Sequence, residues 1–89
     1  TKKAHYTSQF KKDFKRCKKR GYNMQQLADV MKLLEEGKKL PLKNKDHGLK
    51  GNYSESRECH IGPDWLLIYQ LFDSDITFVR TGSHSDLFL

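Results

Sequence analysis

The sequence predicts an α+β fold in which two antiparallel helices pack on one face of a mainly antiparallel sheet of four or five strands, in the order βααβββ. Apolar residues in the first forty positions recur with helical spacing, whereas those from Trp65 onward run unbroken or alternate with a period of two. The connections between these segments are short, which favours antiparallel neighbours. At 89 residues the chain is expected to form a single domain over residues 1–89, with one thin core.

Residues 3 to 7 are expected to form a short strand, and Thr7 or Ser8 is the N-cap candidate for a helix running to about Arg20. Phe10, Phe14 and Cys17 fall at i, i+4 and i+7 on one face, and Gly21 fits the stop. Asn23 with Gln26 has the spacing of a capping box, and Met24, Leu27, Met31 and Leu34 continue at helical spacing to Gly37. After Pro41 the character changes. Lys38 to Lys45 is polar and irregular, while Trp65 to Phe72 and Ile76 to Thr81 read as strands. Two more strands are expected near His47 to Lys50 and Glu55 to His60. Gly51-Asn52, Gly62-Pro63-Asp64 and Asp73-Ser74-Asp75 supply the turns, and a short tail ends the chain.

Seventeen Lys and Arg against eleven Asp and Glu give a formal charge of +6. Residues 1 to 20 hold nine of the basic residues and one acid, so the remainder of the chain carries −2. A basic segment of this kind suits phosphate backbones, anionic lipid or an acidic protein, and charge alone does not choose among them; a solvated helix face is the plain alternative. No run approaches the ~18 apolar residues of a membrane span, and no apolar segment follows the early lysines as in a secretory signal. A cytoplasmic protein without membrane contact is expected. Cys17 and Cys59 lack zinc-finger spacing and are read as buried thiols. Thr1 in place of Met is read as a processed or trimmed start.

His47, His60 and His84 all lie in the sheet half, with His5 apart near the N-terminus. The period of two places Glu58 and His60 on one strand face and Arg57 and Cys59 on the other. Asp64 follows His60 across a Gly-Pro turn, which would make them neighbours. A His-His-Asp-His set can bind zinc, although its spacing matches no known signature, and isolated histidines at strand ends are often packing or surface residues. Imidazoles also titrate near neutral pH, so several around a phosphate can act as general base and general acid.

The segments Asp46-His47-Gly48-Leu49-Lys50-Gly51, Arg57 to Tyr69 and Arg80 to Phe88 resemble the YafQ branch of the RelE/ParE-type bacterial toxins. The patterns are DHxLxG, R(D/E)xHxxPDWxLIY and RTGxHxxLF, and the resemblance covers nearly the whole chain. It implies a RelE-like compact domain and a toxin of a type II toxin-antitoxin pair, which enters the ribosomal A site and cuts mRNA during translation. Carried over by motif, the active-site residues are His47, His60 and His84 with Asp64, and Glu58, Trp65, Arg80 and Phe88 line the substrate site. Glu58 stands where several relatives have Asp. Other RelE branches use Lys, Arg and Tyr instead. The implied partners are a cognate antitoxin, mRNA and ribosomal RNA; the toxin alone is expected to be a monomer that enters a higher assembly with its antitoxin.

Cleaving RNA without a metal or cofactor requires a base for the 2′-hydroxyl, a cation for the phosphorane and an acid for the leaving oxygen. His84 is assigned as acid, His60 or His47 as base, Asp64 as orienter of an imidazole or substrate contact, and Arg80 to the scissile phosphate. Trp65 is read as core or wall before stacking platform, and Phe88 as a residue that can hold a base. Lys11, Lys12, Lys15, Arg16, Lys18 and Lys19 would hold ribosomal RNA by sequence-independent attraction, on a surface an acidic antitoxin segment could also cover. The alternatives are a non-cleaving ParE-like inhibitor of gyrase, which the three histidines disfavour, and an RNase that needs no ribosome.

Overall fold

The computed structural model describes residues 1–49 and 55–88; the expected turn at Gly51-Asn52 and the strand end at Lys50 lie outside them. The elements run β1 (Lys3–Tyr6), α1 (Ser8–Lys19), α2 (Met24–Glu35), a 3₁₀ turn at Leu42–Asn44, β2 (His47–Gly48), β3 (Arg57–Gly62), β4 (Trp65–Leu71), β5 (Asp75–Gly82) and α3 (His84–Phe88).

Local chemistry sets the helix ends. The Thr7 hydroxyl accepts the Phe10 N–H at 2.9 Å and donates to the Val79 carbonyl at 2.7 Å, so one side chain both caps α1 and fastens it to β5. Asn23 caps α2 through the Gln25 N–H, one residue short of the expected Gln26. Both helices end in Schellman motifs: Gly21 N–H bonds to Lys18 O and Tyr22 N–H to Cys17 O, with Gly37 and Lys38 repeating the pattern on Leu34 and Leu33. Gly21 and Gly37 have φ of 81° and 72°, the left-handed region this motif demands.

The strands form one sheet in the order β1-β5-β4-β3-β2. β1 is parallel to β5, and the other pairs are antiparallel. No short connection joins β1 to β5, so that pair is free of the constraint that makes sequential neighbours antiparallel. Phe10, Cys17, Leu27, Val30 and Leu34 of the two long helices meet Cys59, Trp65, Leu67, Tyr69, Ile76 and Phe78 on one sheet face. On the opposite face Leu66 and Ile68 pack with Leu87 of α3. β4 is therefore covered on both sides, which accounts for its unbroken apolar run. Burial pushes the Cys59 thiol up to about 12 and raises that of Cys17; both are free cysteines in the core.

β1 ends at Tyr6 opposite Phe78, leaving the edge of β5 beyond that point without a strand partner. Asp13 of α1 takes over, accepting the Thr81 N–H at 3.2 Å and two bonds from Arg80 at 3.0 Å, with Gln9 and Arg16 as further donors. Burial alone would raise the pKa of this carboxyl, but these donors outweigh it and hold the group below the usual range.

Several expectations need correction. The strand expected over His47 to Lys50 spans only His47–Gly48 within the described residues. The next strand reaches Gly62 with a register shift after His60, because a bulge carries the pairing up to the Pro63-Asp64 turn. The irregular stretch before His47 contains the 3₁₀ turn, and the tail is a short helix. No described helix is long and apolar enough to cross a membrane.

Candidate active site

Antiparallel register gathers the histidines. His47 on β2 lies directly opposite Glu58 on β3, and His60 is two residues further along the same face, away from α1 and α2. The third histidine arrives from outside the sheet: α3 begins at His84, whose ring lies edge-on to that of His60 at a centroid distance of 6.0 Å. Phe88, one turn later, stands 6.4 Å from the His84 ring and is about half exposed.

Each imidazole has a defined neighbour. His47 Nδ1 lies 2.7 Å from the Lys45 carbonyl oxygen, which can only accept, so Nδ1 carries a hydrogen and, in the neutral ring, Nε2 has the lone pair. His84 Nδ1 lies 2.6 Å from Asp64 Oδ1, and the same oxygen accepts the His84 backbone N–H at 3.0 Å. These bonds, the backbone one foremost, hold the Asp64 carboxyl below the usual range, so it stays ionised beside the ring. His60 Nε2 is 3.6 Å from Oε1 of the buried Glu58 carboxylate. Asp64 thus serves His84 and not His60: the turn folds it toward α3 while the bulge at Ile61 moves the end of β3 out of simple alternation. Among the described residues no three His, Cys, Asp or Glu side chains converge as a metal cage would require.

Other residues expected in the substrate site are held by partners within the fold. Trp65 is buried in the helix-side core, with Tyr22 at 4.9 Å from its ring and its indole N–H given to Thr81 Oγ1 at 2.9 Å. It is core. Glu58 is 5% exposed, opposite His47 in register and 3.6 Å from His60 Nε2. Arg80 lies opposite Ile68 on the site face of the sheet, while its guanidinium is held by Asp13 at the sheet edge. Arg16, expected on the exposed face of α1, is turned inward to Asp13 at 2.9 Å and Asp86 at 3.7 Å. Lys11, Lys12, Lys15, Lys18 and Lys19 remain exposed.

Three carboxylates that shape the site escaped the sequence reading. Asp13 sits on the apolar stripe of a basic helix, a signal in itself, since a lone acid there needs partners. Asp46 lies within the first motif and accepts bonds from Tyr69 Oη and, at 3.2 Å, from Arg57 Nε and Nη2, fixing the loop that delivers His47. Burial and this carboxylate push the Tyr69 phenol far up. Asp86 stands three residues after Ser83, the spacing of a capping box, which was legible but hidden in what looked like a tail.

Comparison with known proteins agrees with this fold. The family model described as bacterial toxin of type II toxin-antitoxin system, YafQ, matches residues 2–89. The mRNA interferase toxin YafQ of Escherichia coli K12 is 43% identical over 84 residues, spanning 93% of this chain and 91% of the relative. The crystal structure of YafQ from E. coli BL21(DE3) aligns with a TM-score of 0.95 at 39% identity over the full length of both chains. The YafQ chain of the E. coli DinJ-YafQ toxin-antitoxin complex gives a TM-score of 0.92 at 40% identity, covering 99% of this chain and 98% of that one. Fold and comparisons together define a toxin of the type II toxin-antitoxin class, and within that class the chain belongs to the YafQ family.

Proposed function

We propose that this protein is an mRNA interferase, a ribosome-dependent endoribonuclease that cleaves mRNA in the A site and is restrained by a cognate antitoxin in the bacterial cytoplasm. The observation that carries this reading is the placement of His47 and His60 on one sheet face with His84 brought against His60, and Asp64 bonded to His84 Nδ1. Names borne by relatives support it: one is an mRNA interferase toxin and another was crystallised with the antitoxin DinJ.

In this mechanism the substrate's own 2′-hydroxyl attacks the adjacent phosphorus. His47 Nε2, whose lone pair is left available by the bond from Nδ1 to Lys45 O, takes the hydroxyl proton; His60, backed by Glu58, is the neighbouring candidate for the same role. His84, when protonated, gives its Nε2 proton to the departing 5′-oxygen while ionised Asp64 balances the charge and fixes the tautomer. Arg80, oriented by Asp13, supplies positive charge to the phosphorane, and Phe88 stacks on a base. Exposed Lys11, Lys12, Lys15, Lys18 and Lys19 hold ribosomal RNA phosphates.

A messenger carrying one 2′-deoxy nucleotide on the 5′ side of the scissile bond tests the chemistry. It is expected to enter the A site and remain uncut, while the normal messenger yields a 2′,3′-cyclic phosphate or its 3′-phosphate product. Efficient cleavage of the deoxy messenger would overturn the mechanism, since water activated by a metal needs no neighbouring hydroxyl. Failure to cut any messenger on translating ribosomes would overturn the function.

A further inference from the structure

α3 is five residues long, far below the length at which a helix holds itself together, yet it carries His84 and Phe88. Something must fix it. On its apolar side Leu87 packs on Leu66 and Ile68, a small patch that still lets a short helix slide. The orientation comes from Asp86. Its Oδ2 accepts the Ser83 N–H at 2.9 Å while the Ser83 hydroxyl accepts the Asp86 N–H at 3.2 Å, a reciprocal capping box on the turn that begins with His84. The same carboxylate receives both arms of Arg20, from Nη1 at 2.7 Å and Nη2 at 3.2 Å, with Arg16 Nη2 at 3.7 Å.

A fork-to-fork bond fixes direction as well as distance, which a single lysine contact does not. The backbone beside it leaves no slack: a Cβ on Gly82 would stand 2.9 Å from Asp86 Oδ2 and 3.2 Å from Arg16 Nη2, so β5 comes this close only because residue 82 is glycine. Through Asp13, Arg16 is tied in turn to Arg80 and Thr81.

We infer that Asp86 and Arg20 are positioning residues: they clamp the His84 helix to the C-terminal end of the basic helix and hold the imidazole in register with Asp64 and His60. Two arginines of the basic segment thereby serve the site from within, and phosphate docking falls to the lysines. This inference rests on the proposed function for its kinetic readout and on geometry alone for its structural one.

The test uses Asp86→Ala, Arg20→Ala, the milder Arg20→Lys and the Asp86→Ala/Arg20→Ala double variant of the full chain, each checked for cooperative melting. Single-turnover cleavage at saturating ribosome is expected to fall about 10- to 100-fold in either alanine variant, because small misplacements of a reacting group are costly, with ribosome affinity unchanged. Arg20→Lys is expected to recover part of the rate, and the double variant to be no slower than the singles, as for residues acting as a unit. Independently of activity, the proton–proton NOE between the His84 and His60 rings is expected to weaken in Asp86→Ala. A wild-type rate in that variant overturns the clamp, as does a loss confined to ribosome binding, which would make Arg20 a phosphate contact. Should the unaltered protein cut no messenger, the proposed function falls, and the clamp is then judged by the NOE: its persistence in Asp86→Ala, or in Arg20→Ala if the first variant does not fold, overturns it.

Discussion

The two faces of the sheet are held by different physics. Toward α1 and α2, large side chains interlock: Phe78 is fully buried between strand and helix, with the rings of Phe10 and Tyr6 at 5.9 and 5.7 Å. On the far face the buried apolar side chains among the described residues are Leu66, Ile68 and Leu87, and position is set instead by directed polar bonds accepted by Lys45 O, Asp64 and Asp86. Apolar packing gives most of the stability but tolerates small shifts. Hydrogen bonds contribute less free energy and specify atoms to within tenths of an ångström. A site for proton transfer needs the second kind of control, and it is placed on the face that has it.

Separating the two faces by substitution sharpens this contrast. Phe78→Ala is expected to cost about 3–5 kcal/mol, the range for deleting a buried aromatic side chain, and urea unfolding measures it. A loss under 1 kcal/mol would mean that the helix-side core is looser than its burial indicates. His84→Ala is expected to do the reverse. Cleavage and growth inhibition fall by roughly 10²- to 10⁴-fold, while urea stability changes by less than about 0.5 kcal/mol because the side chain is exposed. Full toxicity in that variant would remove His84 from the reaction.

The smallest effect belongs to the carboxylate joining the two faces. Asp13→Asn is expected to cost about 2 kcal/mol at neutral pH, by weakening charge-assisted bonds to Arg80 and Arg16. The sign of its pH dependence follows from the lowered pKa of Asp13. Stability from an acid depressed on folding is complete above the unfolded value near 4 and is lost as pH falls through the folded one. The gap between wild type and Asp13→Asn should therefore be constant above about pH 5 and close below about pH 4, where Asp13 protonates on unfolding and then in the native state. A gap that persists to pH 2 would show that the asparagine fails for shape and not for charge.

Two amphipathic helices, the strands from Trp65 onward, the burial of both cysteines and the three motifs that carry the histidines are legible in the chain itself. All of these are local signals: a 3.6- or 2-residue period, a cap, a left-handed glycine, or an ordered string of residue types. Which groups meet depends on how the elements pack. The parallel pairing of β1 with β5 joins segments about seventy residues apart, and no local pattern encodes a partner at that distance. Asp64 turned to His84 because a bulge and a two-residue turn redirected the chain, and strict alternation cannot foresee an inserted residue. Trp65 and Glu58 matched substrate-lining positions in sequence, yet both are buried, Trp65 bonded to Thr81 of the neighbouring strand and Glu58 beside His60 of its own. Arg16 and Arg20 looked like their lysine neighbours in a charge count; it took the approach of α3, made possible by the absent side chain of Gly82, to bring Asp86 within reach of their planar forks. Residue type and spacing specify what an element is, whereas contacts between elements depend on the register and packing of the whole chain, and the site is made of such contacts.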